Sequence, residues 1–156
     1  MLADPADEKL LKFVKDHKLV GKDRFDTAKR VHTWITKNVK YDAKAPPGKD
    51  ALETLEKKRG NCSAQSWAFV ALCRAGGVPA RVVIGGQVTR VGGQLEPHGW
   101  AEFYGYGGWV PVEPQSLRFH GSVPTSCVRY GYFDDVGLSK DPLAAYVRGW
   151  QLVSAK

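Results

Sequence analysis

The sequence predicts an α+β domain, with helices first and an antiparallel sheet after them, packed on a buried central helix. Three observations carry this. Helical periodicity and capping residues fill the first half of the chain. From Arg81 onward the apolar residues switch to a period of two. Between the halves, residues 62–75 are apolar nearly all round, the mark of a helix covered on every side. At 156 residues, 43% apolar and 25% charged, the chain suits one globular domain spanning 1–156.

Asp4-Pro5, followed by Ala6-Asp7-Glu8, reads as a helix start with a cap, Pro at the first position and acids in the first turn. Leu10, Leu11, Val14 and His17 continue it to about residue 17. Asp26 is the expected cap of a second helix, whose stripe is Ala28, Val31, Ile35 and Val39. Ala45-Pro46-Pro47-Gly48 is a loop, and Asp50 opens a short helix ending near Lys58. The fourth helix runs from Cys62 to Ala75, with Gly76-Gly77 ending it and Pro79 preventing its continuation. Strands follow at Arg81 to Val91, His98 to Tyr104 and Trp109 to Glu113, with Gly-rich turns at Gly92-Gly93 and at Gly105 to Gly108. Val128 to Phe133 reads as a further strand and Leu143 to Trp150 as a helix or docked tail.

Composition narrows the function. No apolar run reaches the roughly 18 residues needed to span a membrane. The N-terminus has neither a basic flank nor an apolar signal core. A full-length chain of this kind is expected in the cytoplasm; the alternative is a domain cut from a longer protein. Net charge is +7 and the pI is about 9.4. Lys37, Lys40, Lys44, Lys49, Lys57, Lys58 and Arg59 supply much of the excess, with no nucleic-acid recognition motif among them. A solvated basic surface is expected, not a specific nucleic-acid partner. Three cysteines exclude a complete disulfide framework, and no Cys-x-x-Cys pair supports a zinc site, so no metal or cofactor is expected.

Chemistry concentrates in three segments. Arg59-Gly60-Asn61-Cys62-Ser63 sets a cysteine on the first turn of the buried helix, where free N–H groups and the helix dipole stabilise a thiolate. His98 and Glu113 lie on the strands that flank the Gly105 to Gly108 turn. If that turn pairs Tyr104 with Trp109, Trp100 faces Glu113 and His98 becomes Glu113's diagonal neighbour. Diagonal neighbours are roughly 7–8 Å apart at Cα, within reach of a long side chain. Glu102, four residues along the same strand, is the rival partner but stands about 13 Å away. Nucleophile, base and carboxylate are the parts of a thiol acyl-transfer site. Each also has an ordinary reading, as a small buried Cys, a half-buried strand His and a strand-end acid. Trp100 and Trp109, on the same two strands, are expected to line a substrate groove. Trp34, Trp67 and Trp150 are expected in the core, Cys73 in the core, and Cys127, His17, His32 and His120 in surface or packing roles.

Gly60-Asn61-Cys62 with the run from Ala68 to Val83, His98-Gly99-Trp100-Ala101-Glu102, and Gly108 to Pro114 together resemble the transglutaminase-like superfamily of papain-related thiol enzymes. The resemblance covers about Phe25 to Pro114, with Lys40-Tyr41-Asp42 matching the approach to the site. It departs at Glu113, where the family usually has Asp. The separation of His98 from Cys62, 36 residues (98 minus 62), favours this branch over papain-type proteases, where the His follows the Cys by roughly 130 residues or more. The resemblance implies a transglutaminase-like/papain-like fold. It implies that Cys62 attacks an amide or peptide carbonyl to form a thioester, with His98 as acid and base, Glu113 orienting it and Tyr41 as an oxyanion donor. It also implies a protein or peptide substrate, and the chain is expected to act as a monomer. Hydrolysis of a peptide, amide or isopeptide bond is the expected reaction. Transfer of a glutamine acyl group to an amine and a non-catalytic binding module are the alternatives.

Overall fold

In the computed structural model, described over residues 6–46, 50–88, 95–119, 126–133 and 138–140, the expected helices and antiparallel sheet form. α1 (Glu8–Asp16), α2 (Arg24–Asn38), α3 (Ala51–Lys57) and α4 (Cys62–Ala75) precede β3 (Ala80–Val88), β4 (Leu95–Gly105), β5 (Gly108–Val112), β6 (Cys127–Phe133) and β7 (Leu138–Lys140). Two short strands, β1 (Lys40–Tyr41) and β2 (Arg59–Gly60), pair in parallel beside α3 and α4. The five-stranded sheet runs in the order β5-β4-β3-β6-β7, antiparallel throughout.

Two helix starts differ from expectation. The cap of α1 is Asp7, whose carboxylate accepts from Lys9 N at 2.8 Å and Leu10 N at 3.3 Å, while the expected start at Asp4-Pro5 lies outside the described residues. Leu10 and Val14, each 3% exposed, are the residues by which α1 meets the core. The cap of α2 is Asp23, which accepts from Asp26 N at 2.8 Å. Asp26 sits three residues on and accepts from Lys22 N at 3.0 Å, so both acids are used, the downstream one reaching back. The start of α3 at its cap Asp50 and the bounds of α4 match the sequence reading.

Helix α4 is the axis of the core. Every residue from Ala64 to Cys73 is buried, between α1, α2 and α3 on one side and β3 and β4 on the other. Its two buried polar side chains turn back to backbone. Ser66 Oγ donates to Cys62 O at 2.8 Å and Gln65 Nε2 to Gly60 O at 3.2 Å. Phe69, Leu72 and Phe103 are fully enclosed, so truncating Phe69 to Ala costs about 3–5 kcal/mol. Tyr106 (φ 51) and Gly107 (φ 82) turn β4 into β5 with both central residues left-handed, the turn that suits a tight hairpin.

Among the described residues no helix is long and apolar enough to cross a membrane. The expected turn at Gly92-Gly93, the helix or tail over Leu143 to Trp150, His120 and Trp150 lie outside the described residues. Strands β1, β2 and β7 were not expected: at two or three residues each they are too short to show a period.

Candidate active site

The chain is pinned on both sides of Cys62 before α4 begins. Lys58, in the left-handed region (φ 49), ends α3 and turns the chain into β2. There Tyr41 pairs with Gly60, and the Arg59 guanidinium meets Asp42 at 2.5 Å. Gly60 is a close-approach glycine. A Cβ on it would fall 2.7 Å from the Ala64 Cβ and 3.2 Å from Thr54 Cγ2. Asn61 then caps α4, accepting from Ala64 N at 3.0 Å while its Nδ2 donates to Ala45 O at 2.9 Å. These contacts set Cys62 as the first residue of α4, partly exposed, with the helix dipole behind its sulfur.

The β4–β5 register is the one the Gly-rich turn implied, with Tyr104 opposite Trp109 and Ala101 opposite Val112. One step beyond the last pair, the Glu113 side chain crosses the diagonal to His98, and its Oε2 lies 2.6 Å from His98 Nε2. Both side chains are nearly enclosed, at 9% and 6% exposed. The carboxylate reaches across the diagonal with its extra methylene, which a shorter Asp would lack. Glu102 is engaged elsewhere: Arg81 Nε donates to its Oε2 at 2.7 Å, and Arg129 lies 3.7 Å from its other oxygen.

Cys62 and His98 are hydrogen-bonded to each other. Burial pushes the Cys62 thiol up, but His98, its charge, and the backbone N–H groups of Gly99 and Ser63 outweigh burial, so the thiol ionises below its ordinary range. Burial likewise opposes charge on His98, yet its bonds to Cys62 and Glu113 and their charges raise it to about 9. A lowered thiol beside a raised imidazole favours the thiolate–imidazolium form of the pair. With Nε2 held by Glu113, the nitrogen left to face Cys62 is Nδ1.

Tyr41 stands at this site, half exposed, on the strand that pairs with Gly60. Burial and the charges of Cys62, Glu113 and Asp42 raise its phenol, which keeps the O–H as a donor. The two expected groove tryptophans are placed otherwise. Trp100 is 4% exposed and stacked on His98, so it cannot wall an open groove. Trp109 lies opposite Tyr104, six residues from His98 along β4 and so about 20 Å away, with the Arg81 guanidinium 4.0 Å over its ring. Alternation showed which side of the strand each shares with His98, but not what covers that side. His32 is a packing residue, 2% exposed, against Phe119 and the backbone of Glu113 and Ser116, and the Ser116 N–H closes the turn after Glu113 at 2.9 Å from Glu113 O. Nothing in the sequence separated His32 from an ordinary helix His.

The other two cysteines lack this setting. Cys73 is fully buried and its thiol is pushed well up by burial. Burial and the nearby Glu113 charge push Cys127 up to about 11, so about one part in 10^5 is thiolate at pH 6. Iodoacetamide at pH 6 is therefore expected to alkylate Cys62 at least about 100-fold faster than Cys73 or Cys127. Peptide mapping of the folded, briefly treated protein checks this; equal labelling would remove the thiolate from the argument. Among the described residues no group of three or more His, Cys, Asp or Glu could hold a metal ion.

Comparison with known proteins gives the family and the fold. The sequence model of the transglutaminase-like superfamily matches residues 13–114. No curated protein matches the chain. Among solved structures, Legionella pneumophila LapG is similar at 14% identity and a TM-score of 0.66, covering 95% of each chain. A putative cysteine protease from Cytophaga hutchinsonii is similar at 21% identity and a TM-score of 0.66, over 94% of this chain. The present chain spans 46% of that protein's length. The periplasmic domain of TgpA from Pseudomonas aeruginosa is similar at 22% identity and a TM-score of 0.55, covering 69% of this chain and 42% of that one. These likenesses show the fold.

Proposed function

The chain belongs to the transglutaminase-like superfamily, and on that premise we propose that it cleaves an amide, peptide or isopeptide bond through a thioester on Cys62. The observation that carries this reading is the hydrogen-bonded series Cys62–His98–Glu113, with Cys62 on the first turn of α4 and Glu113 2.6 Å from His98 Nε2.

In this mechanism the Cys62 thiolate attacks the substrate carbonyl carbon, forming a C–S bond and moving the carbonyl electron pair onto oxygen. The Cys62 backbone N–H at the helix start and the Tyr41 phenol are the proposed donors to that oxyanion. Collapse of the tetrahedral species breaks the C–N bond, and the imidazolium passes its Nδ1 proton to the leaving nitrogen. Neutral His98 then takes a proton from water as the water attacks the thioester, releasing acid and restoring the thiolate–imidazolium pair. Glu113 keeps its charge throughout, orienting the ring and stabilising the imidazolium.

Water is the proposed acceptor, and the partial exposure of Cys62 supports this by leaving the sulfur reachable by solvent. The test is ammonia or amine release from glutamine-containing and isopeptide-linked peptides, with and without added primary amine. Free acid as the product in both cases supports hydrolysis. Incorporation of the amine at high yield would assign amine transfer instead. No product from any such peptide, together with slow labelling of Cys62, would indicate a binding module. Because the active pair needs the imidazolium, turnover is expected to fall as pH rises through about 9. A turnover profile still rising beyond pH 10 would contradict the assigned ion pair.

A further inference from the structure

We propose that Trp100 and Gly85 are positioning residues: the Trp100 indole, seated on the bare Cα of Gly85, stops the His98 ring from pivoting and keeps Nδ1 aimed at Cys62. This rests on the function proposed above and deepens it.

The argument begins with the register. Gly85 stands directly opposite His98 in the β3–β4 pair, and Trp100 lies opposite Val83. Trp100 is therefore the diagonal neighbour of Gly85 on the same face as His98. A Cβ built on Gly85 would fall 2.9 Å from both Cη2 and Cζ3 of Trp100, and 2.1 Å from the Val128 carbonyl oxygen. The indole thus occupies the space that a side chain at position 85 would need. The β3–β6 ladder shifts register between Ile84 and Gly85, which brings the Val128 carbonyl onto this glycine from the other strand. Bulges of this kind re-aim side chains beside functional sites.

The consequence falls on His98. Its bonds to Cys62 and to Glu113, the latter at 2.6 Å through Nε2, fix the two nitrogens and leave the tilt of the ring to what packs beside it. The Trp100 ring lies against the imidazole, 6.0 Å between centroids and 27° between planes. At 4% exposure Trp100 has no room to move aside. The glycine floor fixes the indole, the indole backs the imidazole, and the carboxylate holds its far nitrogen. An indole face beside the ring also favours the imidazolium form.

The groups that bear on His98 are Cys62 from α4 and Glu113 from the end of β5. Tyr41 from β1 is coupled to both, and Cys127 from β6 is coupled to Glu113. None of them changes in the variants below. The test is the ring titration of His98 by NMR, assigned with His98→Ala, together with the rate of Cys62 alkylation by iodoacetamide at pH 6. It is run on wild type, Trp100→Phe, Trp100→Leu and Gly85→Ala.

In Trp100→Leu the His98 midpoint is expected to fall by about one pH unit from wild type, and alkylation at pH 6 to slow about tenfold. Trp100→Phe should lie between Leu and wild type. Gly85→Ala should lower the midpoint in the same direction, because its methyl displaces the indole, although it also presses on the Val128 carbonyl of β6. If Gly85→Ala or Trp100→Leu does not fold, the Phe variant carries the test. An unchanged His98 midpoint and alkylation rate in the folded Trp100 variants would overturn the proposal. Wild-type alkylation in His98→Ala would instead sink the proposed function. Loss there with no change in the Trp100 variants would sink only the support assigned to Trp100 and Gly85.

Discussion

His98→Ala is expected to lower turnover on the order of 10^3-fold or more while leaving the fold in place. Two losses combine. Cys62 loses the bond and charge that offset its burial, so its thiol returns toward the ordinary range and the thiolate fraction at neutral pH drops. The leaving nitrogen loses its proton donor as well. The fold should survive because the helix α4 core does not depend on this ring, and the Asn61 cap and the β1–β2 pair hold Cys62 in place without it. Circular dichroism and thermal unfolding establish the fold; turnover of the best peptide from the acceptor screen measures the loss. A folded His98→Ala protein keeping a tenth or more of the wild-type rate would show that His98 is not the acid and base.

Glu113→Gln is expected to lower turnover by about 10^2-fold or more. The amide can still accept from Nε2, so part of the ring's orientation survives, but the charge that helps to raise His98 to about 9 is gone. The His98 midpoint should therefore fall, and with it the alkaline limb of turnover. Glu113→Asp keeps the charge and shortens the reach by one carbon across a contact now 2.6 Å long. Its loss should be smaller than that of Gln if the chain end of β5 can follow inward. The turn that starts at Glu113, with Pro114 fully buried and Ser116 N closing onto Glu113 O at 2.9 Å, resists that movement. The Asp variant is accordingly expected between Gln and wild type. A Gln variant with wild-type turnover and an unshifted His98 titration would remove Glu113 from the mechanism.

The sequence by itself determined those parts of the protein whose causes are local. The bounds of α4 follow from Asn61 as a cap at one end and Gly76-Gly77 at the other, both acting within a turn of the helix. The β4–β5 register follows from a tight Gly-rich turn, and the placement of Glu113 diagonal to His98 follows from that register. The cap of α2 was misassigned for a local reason: Asp23 and Asp26 stand three apart, and either can accept from backbone N–H groups at that helix start.

What only the tertiary structure decided is what covers each face. Alternation places Trp100 beside His98, yet its burial depends on Gly85, fifteen residues upstream (100 minus 85), being a glycine on the neighbouring strand. Trp109 shares the same face but meets Arg81 and Tyr104 at the far end of the sheet. The parallel β1–β2 pair brings Tyr41 to Gly60 across the whole of α3, a contact with no periodicity to announce it. Caps and tight turns are written in a few adjacent residues because hydrogen bonds there close within one turn. Burial is a property of surfaces brought together from distant parts of the chain, so it becomes legible only when the chain is folded.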